Sequence, residues 1–141
     1  MPLRDYAALD EDDFYGQGFE LPGVVSVWLG TEPPGKVDPN LDVLQDLCGV
    51  GYYSLDSNEV NVLNAASPLE AMLGPLSYSK SFLPAVLKAA AKRAITACWW
   101  AVAQYDFKYD RKRVKRSIAP QPVFLGVFKY VAEDEPPESP G

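Results

Sequence analysis

The sequence contains no histidine, and this absence excludes several common kinds of active site. Catalytic triads of the Ser-His-Asp or Cys-His type need an imidazole, and so do zinc and iron sites with histidine ligands. The side chain that most often transfers protons near pH 7 is therefore missing. We predict that the chain is not an enzyme, with no catalytic residues, no metal ligands and no cofactor.

Cysteines are few, and long apolar runs are absent. Cys48 and Cys98 lie far apart, and Cys98 sits in an apolar run, which is typical of buried thiols rather than of a disulfide. No run reaches the roughly 20 apolar residues that cross a bilayer, and the acidic N-terminus lacks the basic start and apolar centre of a secretory signal. We therefore predict a soluble, cytoplasmic protein that does not associate with membranes.

Basic residues are scarce in the first half of the chain. Before Val60, about a dozen Asp and Glu residues are offset only by Arg4 and Lys36, and the whole chain has a formal net charge of -6. An acidic surface repels nucleic acid and increases the rate at which a basic protein partner approaches. We predict a protein partner and no nucleic acid, although solubility alone also explains the charge.

The chain has 141 residues, of which 48% are hydrophobic, and this size suits one domain with a core. Residues 1–22 contain an acidic cluster and no sustained apolar period, which predicts an irregular acidic arm. Residues 23–132 form the single predicted domain. Residues 133–141 are acidic and rich in proline, which predicts a flexible tail.

Three segments predict strands. Residues 24–30 and 123–131 are rich in β-branched and aromatic side chains, and proline-containing stretches flank them. Residues 95–105 are apolar on both alternating faces, which favours a central strand over a continuation of the preceding helix. A shorter strand is indicated near Val60–Leu63.

The main predicted helix spans Phe82–Ala94, where apolar residues recur at helical spacing. Pro84 then falls in the first turn, where no amide donor is needed. Ser67 and Glu70 have the spacing of a capping box, which predicts a short helix, and a second short helix follows Asp38. The fold class is α+β: a mainly antiparallel sheet of three to five strands, with one main helix packed on a face and short helices at the edges.

Two sets of charged residues suggest other kinds of site. Asp106 and Asp110 are candidates for a paired carboxylate site, although nothing in the sequence fixes their separation. Basic residues between Lys108 and Arg116 stand beside three aromatic residues, as in a nucleic-acid patch. A solvated loop explains the same charges, and we favour that interpretation because the surrounding sequence is acidic.

Three ordered segments and a final aromatic strand carry a family resemblance. They are Val25-Ser26-Val27-Trp28-Leu29-Gly30, Leu47-Cys48-Gly49-Val50-Gly51-Tyr52-Tyr53 and Tyr105-Asp106-Phe107-Lys108-Tyr109. In these segments, which lie within Gly23–Val131, the chain resembles the immunity protein 22 family. The resemblance implies a small cytoplasmic α+β protein that neutralises a toxin of a bacterial polymorphic or contact-dependent system.

We therefore predict an immunity protein that binds a cognate toxin or effector and occludes its active site, with no small-molecule substrate. An acidic surface suits a nuclease toxin, because it imitates the charge of nucleic acid. The predicted toxin-binding residues are five acids and two aromatic anchors: Asp38, Asp42, Asp46, Asp56, Glu59, Trp28 and Tyr53. Trp28 lies near a strand end, where an aromatic residue belongs either to the core or to an interface. The alternative functions are an adaptor or chaperone for a secreted effector, and a carboxylate-dependent enzyme acting on a small substrate.

Overall fold

A computed structural model describes residues 18–33, 43–51, 53–114 and 118–131. In chain order, the elements are strand β1 (Glu20–Gly30), a π-helical turn (Val43–Leu47), a 3-10 turn (Leu55–Ser57), strand β2 (Asn58–Pro68), helix α1 (Leu69–Leu73), helix α2 (Ser79–Lys92), strand β3 (Ala97–Phe107), a second 3-10 turn (Arg111–Arg113) and strand β4 (Val123–Lys129). None of the helices in these residues has the length and apolar character needed to span a membrane.

The four strands form one sheet in the order β2-β3-β1-β4, and every neighbouring pair is antiparallel. Val27 on β1 lies opposite Ala103 on β3 and Gly126 on β4, while Val60 on β2 lies opposite Val102 on β3. The predicted α+β class with a mainly antiparallel sheet is therefore confirmed. The preference for a strand over a continued helix in the segment 95–105 is also confirmed, because β3 lies between two partners.

Helices α1 and α2 cover one face of the sheet. Val25, Val27 and Leu29 project from β1 onto this face and are fully buried, since alternate residues of a strand share a face. Phe82 and Val86, four residues apart on α2, pack against them. Burying an apolar side chain of this size contributes roughly 1.5–3 kcal/mol, so this packing accounts for the attachment of α2 to the sheet.

The opposite face carries a second core. Trp28 and Val102 project onto it from β1 and β3, and the π-helical turn adds Leu44, which is buried. Tyr109 completes this core, and its hydroxyl donates a hydrogen bond to the carbonyl of Cys48. Side chains that alternate along the inner strands thus serve two different apolar layers, which explains why β3 is apolar on both faces.

Helix α2 differs from its prediction at both ends. It spans Ser79–Lys92 rather than Phe82–Ala94, so Pro84 lies inside the helix and not in its first turn. Proline has no amide hydrogen, and the carbonyl of Lys80 therefore loses its usual helical donor. Lys80 and Pro84 are both exposed, where water can satisfy that carbonyl.

The predicted capping box is wrong, although a short helix does follow it. Ser67 belongs to β2, where it lies opposite Cys98, and its hydroxyl donates to the carbonyl of Ala65 at 2.9 Å. Helix α1 begins after Pro68 without a side-chain cap. Strand β2 is much longer than the predicted Val60–Leu63, because its register shifts between Val62 and Ser67 and pairing resumes beyond the shift.

The folded domain begins earlier than residue 23. Phe19 is buried in the second core, and Lys108 donates its backbone amide to the Phe19 carbonyl. Strand β1 begins at Glu20, but its register shifts before Val25. This irregularity breaks the alternation that marks a strand in sequence. Residues 1–17 of the predicted arm, and the predicted tail, lie outside the described residues.

Candidate partner-binding surface

Trp28, one of the two predicted aromatic anchors, does not reach the surface. Only 1% of the residue is exposed, and its ring contacts Tyr109 and Phe124 at centroid distances of 5.0 and 5.3 Å. An interface anchor must be accessible to its partner before binding. The structure therefore contradicts the predicted binding role of Trp28 and supports the core alternative.

The other predicted anchor, Tyr53, is partly buried and packs against the second core. Asp46 is exposed on the π-helical turn that contributes to the same core. Asp38 and Asp42 lie outside the described residues. Two of the predicted residues, Asp46 and Tyr53, thus come from segments on the same side of the sheet.

Glu59 has an internal role. Its Oε1 accepts the Ser77 amide at 2.8 Å and its Oε2 accepts the Ser77 hydroxyl at 2.5 Å, which ties β2 to the segment before α2. Tyr105 donates its hydroxyl to the carbonyl of the same serine. Burial, and then the nearby Glu59 carboxylate, raise the pKa of Tyr105 above its usual range. Tyr105 therefore stays neutral and acts as a donor in this network.

Two of the predicted acidic residues, Glu59 and Asp56, lie in different surroundings. Glu59 lies opposite Ala103, which belongs to the core under the helices, whereas Val60 lies opposite Val102, which belongs to the second core. Glu59 therefore faces the helices. Asp56 lies on the 3-10 turn that precedes β2 and is exposed, so it remains available to a partner.

The structure brings together a set of exposed residues that the sequence analysis missed. Leu55 is 75% exposed, Val60 49% and Val62 52%. Val60 and Val62 face the same side of β2, since they are two residues apart, and Asp56 follows Leu55 in the turn before them. We call this set, Leu55, Asp56, Val60 and Val62, the β2-edge surface. Alternating valines gave a sequence signal for a strand, but nothing in the sequence showed that the strand lies at an edge.

The segment of the chain that contains the β2-edge surface carries charge of one sign. Residues 37–79 contain no Lys or Arg, and the acids of this segment within the described residues are Asp46, Asp56, Glu59 and Glu70. The π-helical turn, β2 and α1 all fall in this segment. Exposed carboxylates without neighbouring bases along the chain produce a negative potential that attracts a basic partner.

A cavity of about 290 Å³ opens beside the same turn. It lies between the irregular start of β1, represented by Leu21, and Ser54 and Ser57, which flank the 3-10 turn. Glu20 and Asp106 also line it, and its lining contains no basic residue. The cavity therefore extends the negative surface and has room for a side chain of a partner.

No family model, curated protein or solved structure matches this chain. The resemblance to the immunity protein 22 family therefore stays a prediction. The arguments about function below rest on the geometry and charge of the described residues.

The carboxylates of the candidate pair, Asp106 and Asp110, both accept hydrogen bonds within the fold. Asp106 Oδ1 accepts the Gly23 amide at 2.9 Å and the Tyr130 hydroxyl at 2.7 Å, while Asp110 Oδ1 accepts the Lys112 amide at 2.9 Å. Burial, and then the bond to Asp106, raise the pKa of Tyr130 above its usual range. These bonds assign Asp106 to the junction of β1 and β4, and Asp110 to the cap of a 3-10 turn.

The basic stretch after β3 is partly a structural segment. Phe107 and Tyr109 are buried in the second core, so these two rings are not free to stack on bases. Arg111, Lys112 and Arg113 are exposed. A cavity of about 270 Å³ nearby is lined by Arg93 and Arg111 and by no acidic residue.

Cys48 and Cys98 are both buried and form no disulfide, in agreement with the prediction. Burial raises the pKa of the Cys98 thiol to about 11, so the reactive thiolate is scarce at neutral pH. Among the described residues, no group of three or more Cys, Asp and Glu side chains is arranged to hold a metal ion.

Proposed function

We propose that this protein is an immunity protein, which binds a cognate bacterial toxin or effector in the cytoplasm and occludes its active site. The observation that carries the proposal is the β2-edge surface, where exposed leucine and valine side chains stand beside an acidic turn. Apolar side chains that are exposed in the free protein become favourable contacts when a partner removes them from water.

The charges suit an inhibitor that approaches a basic surface. Asp56 is exposed on the turn, Glu20 and Asp106 line the adjoining cavity, and the segment 37–79 has no base. Complementary charges of this kind increase association rates and select against partners of like charge. A nuclease toxin, whose substrate groove must be basic, is the class of toxin that this surface fits best.

The structural bonds of Asp106 and Asp110 weigh against the alternative of a carboxylate-dependent enzyme. The Oδ1 atoms of both side chains accept backbone amides, and Asp106 also accepts a tyrosine hydroxyl. A general base must be within reach of the proton that it abstracts from a substrate. The hydrogen bonds that hold these carboxylates favour a binding protein.

Co-expression with the proteins encoded beside its gene tests this proposal. We expect the chain to restore plating efficiency to cells that express the neighbouring toxin domain and to co-purify with that domain. Val60→Lys combined with Val62→Lys should abolish protection, because the lysines place like charge against a basic partner. Val131→Lys is the matched control, since Val131 is a similarly exposed valine near the end of β4.

The outcomes separate the remaining alternatives. Binding without protection would favour the adaptor or chaperone, because such a protein delivers the effector in an active form. If no neighbouring gene product binds the chain or is neutralised by it, the proposal is wrong.

Asp56→Lys should slow association in a salt-dependent way if the toxin approaches this turn.

A further inference from the structure

We propose that β2 accepts an extended, basic segment of the partner, which pairs with its free edge and continues the sheet. The proposal rests on the proposed function only in taking a protein as the partner. It names the mode of binding and the chemistry of the bound segment.

The first half of β2 offers a regular edge. Asn58 to Val62 pair one-to-one with Gln104 to Trp100 of β3, before the register shifts. Among the strands of the described residues, β2 is the outermost on this side of the sheet. In an antiparallel pair, alternate residues turn their amide and carbonyl groups away from the partner strand. The Asn58 amide donates to the carbonyl of Leu55 in the preceding 3-10 turn. Within the described residues, the backbone of 59–62 makes no hydrogen bond outside the sheet, so its outward groups remain available to an added strand.

In the part of the chain that the structure describes, this stretch of the edge lacks the features with which proteins protect exposed strands. Such features include lysine, proline, a bulge and a covering side chain. Residues 58–62 contain neither Lys nor Pro, and Val60 and Val62 are about half exposed. An added strand would place alternate side chains beside these two valines, as in other cases of peptide recognition by strand addition.

Charge selects the kind of segment that binds. The β2 edge has Asp56 at its start, and the segment 37–79 around it contains no Lys or Arg. Lys or Arg side chains of an added strand would meet opposite charge there. A second copy of this chain is a poor occupant, because two β2 strands would bring acidic residues of like charge together. We therefore infer a partner segment in which basic residues alternate with apolar ones.

Selection of random 12-residue peptides displayed on phage, with the full chain immobilised, tests this inference without requiring the natural partner. We expect enrichment of peptides with Lys or Arg at alternate positions. Hydrogen exchange of the complex with one such synthetic peptide should show slower exchange for amides within 58–62. Substituting both Val60 and Val62 by Lys should weaken binding at least about tenfold, whereas substituting both by Glu should retain it.

Two controls distinguish a loss of the fold from a loss of binding. Val131→Lys should change the affinity less than about twofold, and thermal melting should show that the paired variants keep the fold, since half-exposed positions tolerate polar substitution. Three results would overturn the inference: enriched peptides without alternating bases, protection that maps away from 58–62, or equal effects of the Lys and Glu pairs. A chain that dimerises through β2 at the concentrations used would also overturn it. Toxin neutralisation is not measured here, so failure of this experiment leaves the proposed function to its own test.

Discussion

The two outer strands of the sheet, β2 and β4, present very different edges to solvent. Strand β4 ends at Lys129, has a register shift against β1, and has its Phe124 carbonyl bonded by the guanidinium of Arg93. The regular half of β2 has none of these features and exposes Val60 and Val62 instead. Since unprotected edges tend to pair with other chains, this difference makes the β2 edge the better candidate for the proposed binding of a partner.

The same two edges differ in charge. The cavity beside β2 is lined by Glu20 and Asp106, while the cavity beside the start of β4 is lined by Arg93 and Arg111. The net charge of -6 for the whole chain does not describe the charge of either cavity. The charged residues that line these two cavities are therefore of opposite sign.

The largest expected effect is in the second core, where Trp28 of the inner strand β1 packs against Phe124 of β4. Trp28→Ala should lower the free energy of unfolding by about 3–5 kcal/mol, because it leaves a large cavity between Tyr109 and Phe124. Val62→Ala on the β2 edge should change stability by less than about 0.5 kcal/mol. Denaturant unfolding measures both values, and a comparable loss in the two variants would mean that Val62 is packed as tightly as the second core, which would contradict its exposure at the β2 edge.

Substitution of Glu59 should lower the free energy of unfolding by an intermediate amount. Glu59→Ala removes the acceptor of the Ser77 amide and hydroxyl and should destabilise the protein by about 1–2 kcal/mol, because the site is only partly buried. Glu59→Gln keeps one carbonyl acceptor and should cost about half as much. Denaturant unfolding checks the difference. A variant of unchanged stability would mean that Glu59 does not tie β2 to the segment before α2, and would restore it as a candidate contact for the toxin.

A small change in stability is expected from opening the β4 edge. Arg93→Met removes the donor to the Phe124 carbonyl and should lower stability by less than about 1 kcal/mol, because the arginine is exposed. We expect the variant to self-associate more readily at high concentration, as measured by sedimentation velocity. Lys92→Met is the control, since it removes a neighbouring exposed charge. Equal self-association of the two variants would show that charge, rather than protection of the edge, matters there.

Much of the fold could be predicted because it depends on local patterns. The strands around Val27, Ala101 and Leu125 are rich in apolar, β-branched or aromatic residues, and α2 has an apolar face of helical period. The start of β1 could not be predicted, because a register irregularity removes the alternation between Glu20 and Val25. The capping box failed because β2 extends through Ser67, and this depends on pairing with Cys98 in a distant part of the chain.

The candidate surface was predicted less completely than the fold. Asp56 and its acidic surroundings follow from composition, because the charge of a segment can be counted from its residues. The role of Trp28 could not be predicted, since a strand-end tryptophan suits a core and an interface equally until its neighbours are known. The hydrogen bonds of Glu59 could not be predicted, because sequence spacing does not show that Ser77 is close enough to bind it.

The sequence by itself determined the absence of imidazole chemistry, the acidic character of residues 37–79 and the periodicities that produce strands and a helix. These properties belong to single residues or to near neighbours along the chain. Only the tertiary structure decided that β2 lies at the edge of the sheet, that Val60 and Val62 stay exposed, and that Arg93 covers part of β4. Strand order and burial depend on contacts between residues far apart in sequence, so neither composition nor local periodicity contains them.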